Sequence, residues 1–349
     1  MELTPRERFT RCAFGQDVDM LPIQCDFTAS KLRDFLHARG IANVSDLELL
    51  RYFDNHVLYA YMNGATLRMK TKDFGGAPYV EDEWGCRWDA SQDLLYMNNP
   101  LERWDSLEQY KFPDPWAPGY LDYAQSVVNK YAQERIVTGY HFCALFERAY
   151  ILRGFENVLA DFYEEEELLT GLLDKITDFQ VELAKRYVSI GVNCGRTVDD
   201  YGTQQSLIVS PAMWRQFIKP RLARIIAVYR DAGLPMIHHS CGNVMSIVGD
   251  LVEIGVNVLN PIQPNAMDLP KLADEYGEKL TFFGGICNQH VLPHLSPEEI
   301  DENVKSVVGI LGKHGRYVIS PSNSIGPDVP EVNVEAYYRA AQKYRRIYG

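Results

Sequence analysis

The 349-residue sequence has few of the features that direct a chain to a membrane, to export or to nucleic acid. No apolar run approaches the roughly 18 consecutive residues of a transmembrane helix, and the N-terminus lacks the charged and apolar blocks of an export signal. Lys and Arg number 35 against 47 Asp and Glu, a net charge of −12. That balance disfavours nucleic acid as a partner, because phosphate binding depends on clustered cations. We therefore expect a cytoplasmic protein that binds neither membranes nor nucleic acid.

Cysteine is sparse, and its distribution argues against a disulfide framework. The seven cysteines are dispersed and odd in number, and no export signal precedes them. The sequence also lacks a Pro/Gly/Ser-rich linker and any low-complexity segment. We therefore predict a single domain over residues 1–349, in which residues 1–130 carry irregular N-terminal insertions.

From residue 135 onward, short apolar strands alternate with helices, which is the pattern of a parallel sheet. At least six such units are visible, and none opens with the glycine-rich GxGxxG of a dinucleotide-binding sheet. Before them, "TPRERFTRCAF" predicts a helix capped by Thr4 with Pro5 at its first position, and residues 79–90 predict a hairpin. The predicted fold is α/β, a closed (β/α)8 TIM barrel with N-terminal helical and hairpin additions, in preference to a doubly wound sheet.

Polar side chains recur where the predicted strands end. In a barrel these positions share the C-terminal rim, where catalysis takes place, so residues far apart in sequence should converge there. They are Asp26, His141, Asp199, Asp200, His239, Cys241, Asn260, Gln263, Cys287, Gln289, Ser322 and Asn323.

One rim segment, "HHSCGN", has the chemistry of a metal site. His239 and Cys241 lie two residues apart at a strand end, so both should face the barrel interior while His238 faces away. An imidazole with a thiolate is typical of zinc and disfavours magnesium or calcium. A catalytic zinc needs about three protein ligands, and Cys287 on the next strand is the expected third, with Glu147, water or substrate completing the shell. The same pattern also fits a packed strand end without a metal.

Six segments distributed over the chain are similar to segments of one family. They are "TPRERFTRCAFGQDVDMLPI", "ERAYILRGFENVL", "DDYGTQQSLIVSPAMWRQFIKPRL", "HHSCGNV", "GGICNQHVLP" and "SPSNSIGPDVP". Through them the chain resembles the uroporphyrinogen decarboxylase superfamily over essentially its whole length. The resemblance implies a (β/α)8 barrel with its active cleft at the C-terminal rim.

That superfamily has two branches of chemistry. Its decarboxylases are metal-free and hold porphyrin carboxylates with an N-terminal R-Q-A-G-R loop. Here the loop is "CDFTASKLR", without the paired arginines, although Tyr150 and Asp54 match a tyrosine and an aspartate of that branch. Its cobalamin-dependent methyltransferases carry a zinc-binding His-x-Cys-Gly and a late cysteine, where this chain has Asn323. The resemblance to this second branch implies a zinc-dependent methyltransferase, with Cys287 in place of the late cysteine.

Under this hypothesis a methyl group moves between a small methylated substrate and cobalamin, which a separate corrinoid protein carries to the rim. O-demethylation of a methoxylated aromatic is one candidate reaction. Methylamines, methanol, methylthiols and methyl-tetrahydrofolate remain open as donors, and a homodimer is a further expectation. The predicted site residues are Glu147, Asp200 and Tyr150 for catalysis, Asp26, His141, Asp199, Tyr201, Gln204 and Asn323 for substrate binding, and His239, Cys241 and Cys287 for metal binding.

Two alternatives remain open. The first is a metal-free uroporphyrinogen decarboxylase-like lyase, which needs an arginine-lined cleft; Arg148, Arg153 and Arg196 are the candidates. The second is a non-enzymatic protein that binds a corrinoid or tetrapyrrole tightly without turnover. Metal content and pigment binding distinguish these alternatives.

Overall fold

The computed structural model describes residues 2–38, 52–62, 68–74, 77–89 and 95–346. The strands are β1 (Val57–Ala60), β2 (Arg68–Phe74), β3 (Ala77–Glu81), β4 (Arg87–Asp89), β5 (Ile136–His141), β6 (Cys194–Val198), β7 (Met236–His239), β8 (Val258–Ile262), β9 (Thr281–Ile286) and β10 (Tyr317–Pro321). The helices are α1 (Pro5–Ala13), α2 (Ala29–Ala38), α3 (Asp122–Tyr131), α4 (Phe146–Arg153), α5 (Phe155–Glu164), α6 (Glu166–Ser189), α7 (Pro211–Met213), α8 (Lys219–Asp231), α9 (Val248–Glu253), α10 (Leu269–Tyr276), α11 (Pro297–Leu311) and α12 (Glu331–Tyr344), with a π-helical turn at Trp214–Ile218 between α7 and α8. None of the helices in these ranges is long and apolar enough to cross a membrane.

Seven strands form one parallel sheet in the order β1-β5-β6-β7-β8-β9-β10. The segment around Ile23 lies between the two edge strands of this sheet. Ile23 pairs in parallel with Ile319 of β10, and its carbonyl oxygen accepts a hydrogen bond from the backbone N–H of His56, next to β1. Eight parallel strand positions thus close into a barrel, which confirms the predicted (β/α)8 fold.

The predicted N-terminal additions are present as α1, α2 and a three-stranded antiparallel sheet, β2-β3-β4. The hairpin expected from residues 79–90 is formed by β3 and β4, with Tyr79 opposite Asp89. Barrel strand β1 also lies within the region expected to be irregular, so the additions are inserted between barrel elements. The assignment of the whole chain to one domain stays a proposal.

Side chains inside the barrel form layers, because every second residue of a strand points inward. The lowest layer is apolar and packs against Phe9 and Ala13 of α1, which covers the N-terminal end of the barrel. Its strand residues are Val57, Ile136, Cys194, Ile237, Val258, Phe283 and Val318. Two residues further along, six of these seven strands place polar side chains inward, namely Tyr59, Thr138, Arg196, His239, Asn260 and Ser320. The C-terminal mouth of the barrel therefore has a polar floor above an apolar base.

Helix α1 begins as the sequence predicts. The Thr4 side chain accepts a hydrogen bond from the Glu7 backbone, the Glu7 carboxylate accepts one from the Thr4 backbone, and Pro5 occupies the first position. Arg8 then anchors the helix, because its guanidinium donates to both carboxylate oxygens of Asp19, at 2.7 and 2.8 Å.

The variant Asp19→Asn is expected to lower the free energy of unfolding by about 2 kcal/mol at neutral pH, because it leaves the buried Arg8 without its anion. The hydrogen bonds from Arg8 lower the pKa of the Asp19 carboxyl in the folded protein. The stabilisation is therefore present above the unfolded-state pKa and is lost as the pH falls toward the folded-state value. Urea unfolding of wild type and variant should show a large difference at about pH 7 and a smaller one at about pH 3. A difference that does not change with pH would contradict this account.

Candidate functional site

The ends of β6 and β7 bring Asp200, His239 and Cys241 together; we call these three residues the rim group. His239 Nε2 lies 3.6 Å from Cys241 Sγ and 3.8 Å from Asp200 Oδ1. Within the described ranges, this is the one set of three His, Cys, Asp or Glu residues whose ligand atoms all lie within 4.8 Å of one another. The two-residue spacing of histidine and cysteine thus brings both side chains to the same point, as the strand periodicity predicts.

Two adjacent carboxylates at the end of β6 have different partners. The backbone N–H of Cys241 donates to Asp200 Oδ1 at 2.8 Å and holds that carboxylate beside the thiol. Asp199 instead accepts hydrogen bonds from the backbone N–H groups of Phe146 and Glu147, at 2.9 and 2.8 Å, where α4 begins. Asp199 is fully buried, and burial raises its pKa to about 6. Its contacts therefore indicate a structural role and do not support the predicted contact with substrate.

Asn260 on β8 fixes the orientation of His239. Asn260 Nδ2 donates to the Phe283 carbonyl oxygen at 3.3 Å, so its Oδ1 faces His239 Nδ1 at 2.7 Å. His239 Nδ1 must then carry the proton, and Nε2 keeps its lone pair toward the other members of the rim group. Metal-binding histidines usually have such an outer hydrogen-bond partner. Burial also lowers the pKa of His239, which favours the neutral imidazole that binds metals.

Glu147 and Tyr150 of α4 lie next to the rim group. The Tyr150 hydroxyl donates to Glu147 Oε1 at 3.2 Å, whereas Glu147 Oε2 is buried and has no partner in the described part of the chain. Burial, reinforced by the carboxylates of Asp200 and Asp199, raises the pKa of Glu147 well above its usual range. A carboxyl group with one unpartnered oxygen can bind a ligand heteroatom or transfer a proton to it.

Cys287 lies outside the rim group. Its Sγ accepts hydrogen bonds from Asn265 Nδ2 at 3.2 Å and from the His290 backbone at 3.3 Å. Asn323, which occupies the place of the late cysteine in the resembling branch, instead approaches the site, with its Nδ2 3.6 Å from Cys241 Sγ. The ligand role of Cys287 therefore stays a prediction, and its contacts in this structure do not support it.

Two further residues predicted to bind substrate have partners outside the barrel interior. His141 Nδ1 lies 2.7 Å from Gln180 Oε1 on α6, and its Nε2 lies 2.6 Å from the Tyr229 hydroxyl on α8. Tyr201 is 1% exposed and stacks on His238. These contacts do not support a role in ligand contact. His238 itself hydrogen-bonds away from the rim group, as its strand position predicts.

An aromatic cluster that was not predicted from the sequence lies on the floor of the mouth. Tyr59, Tyr61 and Tyr140, here called the floor tyrosines, pack against one another, with ring centroids 4.7 to 6.4 Å apart. Asp26 joins this floor, because its Oδ2 accepts a 2.6 Å hydrogen bond from the Tyr59 hydroxyl. The signal in the sequence is the spacing of two residues between Tyr59 in β1 and Tyr61 directly after that strand, which places both rings on one face if the chain stays extended. Gln204, which was predicted to bind substrate, is exposed in the loop that follows β6.

Of the three arginines considered for a lyase, two are held in ion pairs away from the rim group. Arg148 lies 2.6 Å from Asp82, and Arg153 lies 2.8 Å from Asp161. Arg196 is the one that points into the barrel. These contacts do not support an arginine-lined cleft of the kind that a metal-free lyase requires.

A closed parallel barrel with a histidine, a cysteine and an aspartate converging at its C-terminal rim defines a barrel enzyme with a candidate metal centre. The sequence profile of the uroporphyrinogen decarboxylase (URO-D) family matches residues 85–344, and the chain belongs to this family. The predicted superfamily is therefore confirmed.

Relatives with two different activities match the chain over different lengths. The methylcobamide:CoM methyltransferase MtbA of Methanosarcina acetivorans is 22% identical over 352 residues, 99% of each chain. A uroporphyrinogen decarboxylase of Thermus thermophilus is 28% identical over 183 residues, 52% of this chain and 50% of that protein. A solved methyltransferase from Methanosarcina mazei shares the fold, with a TM-score of 0.71 at 18% identity over 98% of this chain and 99% of that one. The similarity over the full length is to methyltransferases, which confirms the predicted enzyme class.

Proposed function

We propose that this protein is a zinc-dependent methyltransferase that moves a methyl group between a small methylated substrate and a corrinoid protein. The observation that carries the proposal is the rim group, which lies at the mouth of a barrel whose full-length relatives are named methylcobamide:CoM methyltransferases. The methoxylated aromatic as substrate, the corrinoid protein as partner and the homodimer belong to this proposal.

The side chains of the rim group suit zinc. One imidazole nitrogen, one thiolate and one carboxylate are a usual set of three protein ligands, with the fourth position left for water or substrate. A thiolate ligand disfavours magnesium and calcium. In this proposal Asp200 replaces Cys287 as the third ligand, because its carboxylate lies beside both His239 Nε2 and the backbone of Cys241.

Bound zinc would supply Lewis-acid polarisation of the heteroatom that carries or receives the methyl group, and the corrinoid would supply or accept the methyl itself. Glu147 would hold a proton at its unpartnered Oε2 for that heteroatom, with Tyr150 fixing the other carboxylate oxygen. Asp200 was predicted as a second acid and becomes a metal ligand here. The barrel walls would orient the substrate and limit its access to water.

Zinc content distinguishes the two ligand sets. We expect about one zinc per chain in the wild type, at least tenfold weaker zinc binding in Asp200→Asn, and full zinc content in Cys287→Ser. Mass spectrometry of metal content after dialysis, with a chelator competition, gives the measurement. If Cys287→Ser loses zinc and Asp200→Asn keeps it, the ligand set predicted from the sequence is the correct one. A wild type that takes up no zinc when purified with zinc present would refute the proposed function.

A further inference from the structure

Arg196 differs from the other buried arginines of the described chain. Six arginines expose less than a tenth of their surface, and five of them have a carboxylate oxygen at 2.6 to 2.8 Å. Those five pairs are Arg8–Asp19, Arg148–Asp82, Arg153–Asp161, Arg221–Asp174 and Arg345–Asp54. For Arg196, which is 6% exposed, no carboxylate oxygen of the described residues lies within the 4.0 Å ion-pair distance.

The polar groups nearest to the Arg196 guanidinium are neutral. Its Nη2 donates to Asn260 Oδ1 at 2.8 Å and lies 3.2 Å from His239 Nδ1, while its Nη1 lies 3.5 Å from the Tyr59 hydroxyl. Its Nε is buried without any partner in the described ranges. The guanidinium therefore extends across the floor of the mouth, directly below a member of the rim group, with one donor unused.

The surroundings offset the charge of Arg196 only in part. The rings of Tyr59 and Tyr140 lie 4.6 and 5.8 Å from its guanidinium carbon, at cation–π distance. Asp26 is held by the Tyr59 hydroxyl, and burial raises the pKa of its carboxyl, which weakens it as a counter-ion. A buried cation without a close anion is costly, and such groups concentrate at functional sites.

We propose that Arg196 binds the anionic group, a carboxylate or a similar compact oxyanion, of a small methylated substrate. The inference rests on the proposed function, since it places the methyl-bearing heteroatom at the rim group and the anion on the floor below. A guanidinium forms strong charge-assisted hydrogen bonds to carboxylates, and the unused Nε supplies a further donor. The floor tyrosines offer flat apolar walls to the carbon skeleton between the two groups. Because Arg196 contacts His239, that skeleton must be short, and the substrate class is a methoxylated or methylthiolated small acid.

Binding of matched probe pairs to the full-length protein tests this inference. The pairs are 3-methoxybenzoate with 3-methoxybenzyl alcohol, and 3-methoxypropionate with 3-methoxy-1-propanol, each titrated calorimetrically without a corrinoid protein. The wild type should bind at least one acid roughly tenfold or more tightly than its alcohol. Arg196→Gln should remove this preference. Arg103→Gln, which removes an equal charge from a side chain that is 78% exposed, should leave the preference unchanged.

Three results would each overturn the inference: no binding of either acid, equal affinity for acid and alcohol, or a preference that survives in Arg196→Gln. Titrations repeated after zinc removal keep this test separate from the methyltransferase proposal, because an acid preference without zinc or turnover would still support the role of Arg196. Should Arg196→Gln fail to fold, Arg196→Lys decides the question. It keeps the charge but loses the planar fork, so the acid preference must fall, and an unchanged preference would overturn the inference.

Discussion

Replacing Cys241 with alanine is expected to lower the zinc content from about one per chain to less than about a tenth, and to abolish methyl transfer. The thiol is one of the three ligand atoms of the rim group, and two ligands do not make a stable zinc site. The fold should survive, because Cys241 is partly exposed and its Sγ lies 3.6 Å from both His239 Nε2 and Asn323 Nδ2, which are long contacts. The metal-free forms of wild type and variant should differ by less than about 1 kcal/mol in free energy of unfolding.

Cys12→Ala is the matched control, because it removes a thiol from the opposite end of the barrel. The Sγ of Cys12 is packed against the carbonyl oxygens of Gly315 and Tyr317, so this variant should lose about 1 kcal/mol of stability and keep its zinc. Metal analysis and urea unfolding are measured on both variants. Stability is compared without metal, since bound zinc itself stabilises the folded state. Full zinc content in Cys241→Ala would refute the rim group as the metal site.

The variant Gly242→Ala, which adds one methyl group, is also expected to disturb the rim group severely. Gly242 has a φ of +83°, and a Cβ there would lie 2.6 Å from the carbonyl oxygen of Thr203 and closer still to the carbonyl of Gly202. These are backbone atoms, so the loop after β6, which carries Gly202 and Thr203, and the loop after β7, which carries Gly242, must separate to make room; we call them the rim loops. We expect Gly242→Ala to lose about 2–4 kcal/mol of unfolding free energy, from the contact and the left-handed backbone together. Zinc should bind at least about tenfold more weakly, because Asp200 and Cys241 move apart.

Gly233→Ala separates the two causes. Gly233 also has a positive φ, +69°, but a Cβ there would meet no atom within 4 Å. This control should lose only the backbone contribution, about 1–2 kcal/mol, and should bind zinc like the wild type. Urea unfolding and a zinc competition assay provide both values. If the two alanine variants behave alike, the contact between the rim loops is not what holds the metal site together.

The barrel and two of the three rim-group residues, His239 and Cys241, could be predicted from the sequence because their signals are local. The capping of α1 by Thr4 and the spacing of His239 and Cys241 depend on residues within one turn or one strand. Which of the two carboxylates, Asp199 or Asp200, joins the rim group could not be predicted in this way, because it depends on the position of the N-terminus of α4 in the folded protein. Only the tertiary structure shows that α4 takes one of these carboxylates as its N-terminal partner and leaves the other at the rim.

His141 and Arg196 show a second limit of the sequence. In β5 and β6 both faces are buried, so apolar residues do not alternate with polar ones, and the inward-facing positions cannot be read from the pattern. The structure places Ile136 and Cys194 in the barrel base, so every second residue after them also faces inward. Arg196 is two residues after Cys194 and faces inward, whereas His141 is five residues after Ile136 and faces outward. Long-range packing thus determines which alternate residues of each strand face the barrel interior.

Helix α1 covers the base of the barrel with Phe9 and Ala13, and this cover determines the order in which ligands bind and leave. Among the described residues, α1 closes the N-terminal end of the barrel, so the C-terminal mouth is the route by which both the small substrate and the corrinoid protein reach the rim group. A large protein docked at this mouth prevents small molecules from entering or leaving. In the proposed reaction the small substrate must therefore enter before the corrinoid protein arrives, and the demethylated product must wait until that protein has left. The proposed reaction therefore has an ordered mechanism of binding and release, and its cause is helix α1 at the end of the barrel opposite to the rim group.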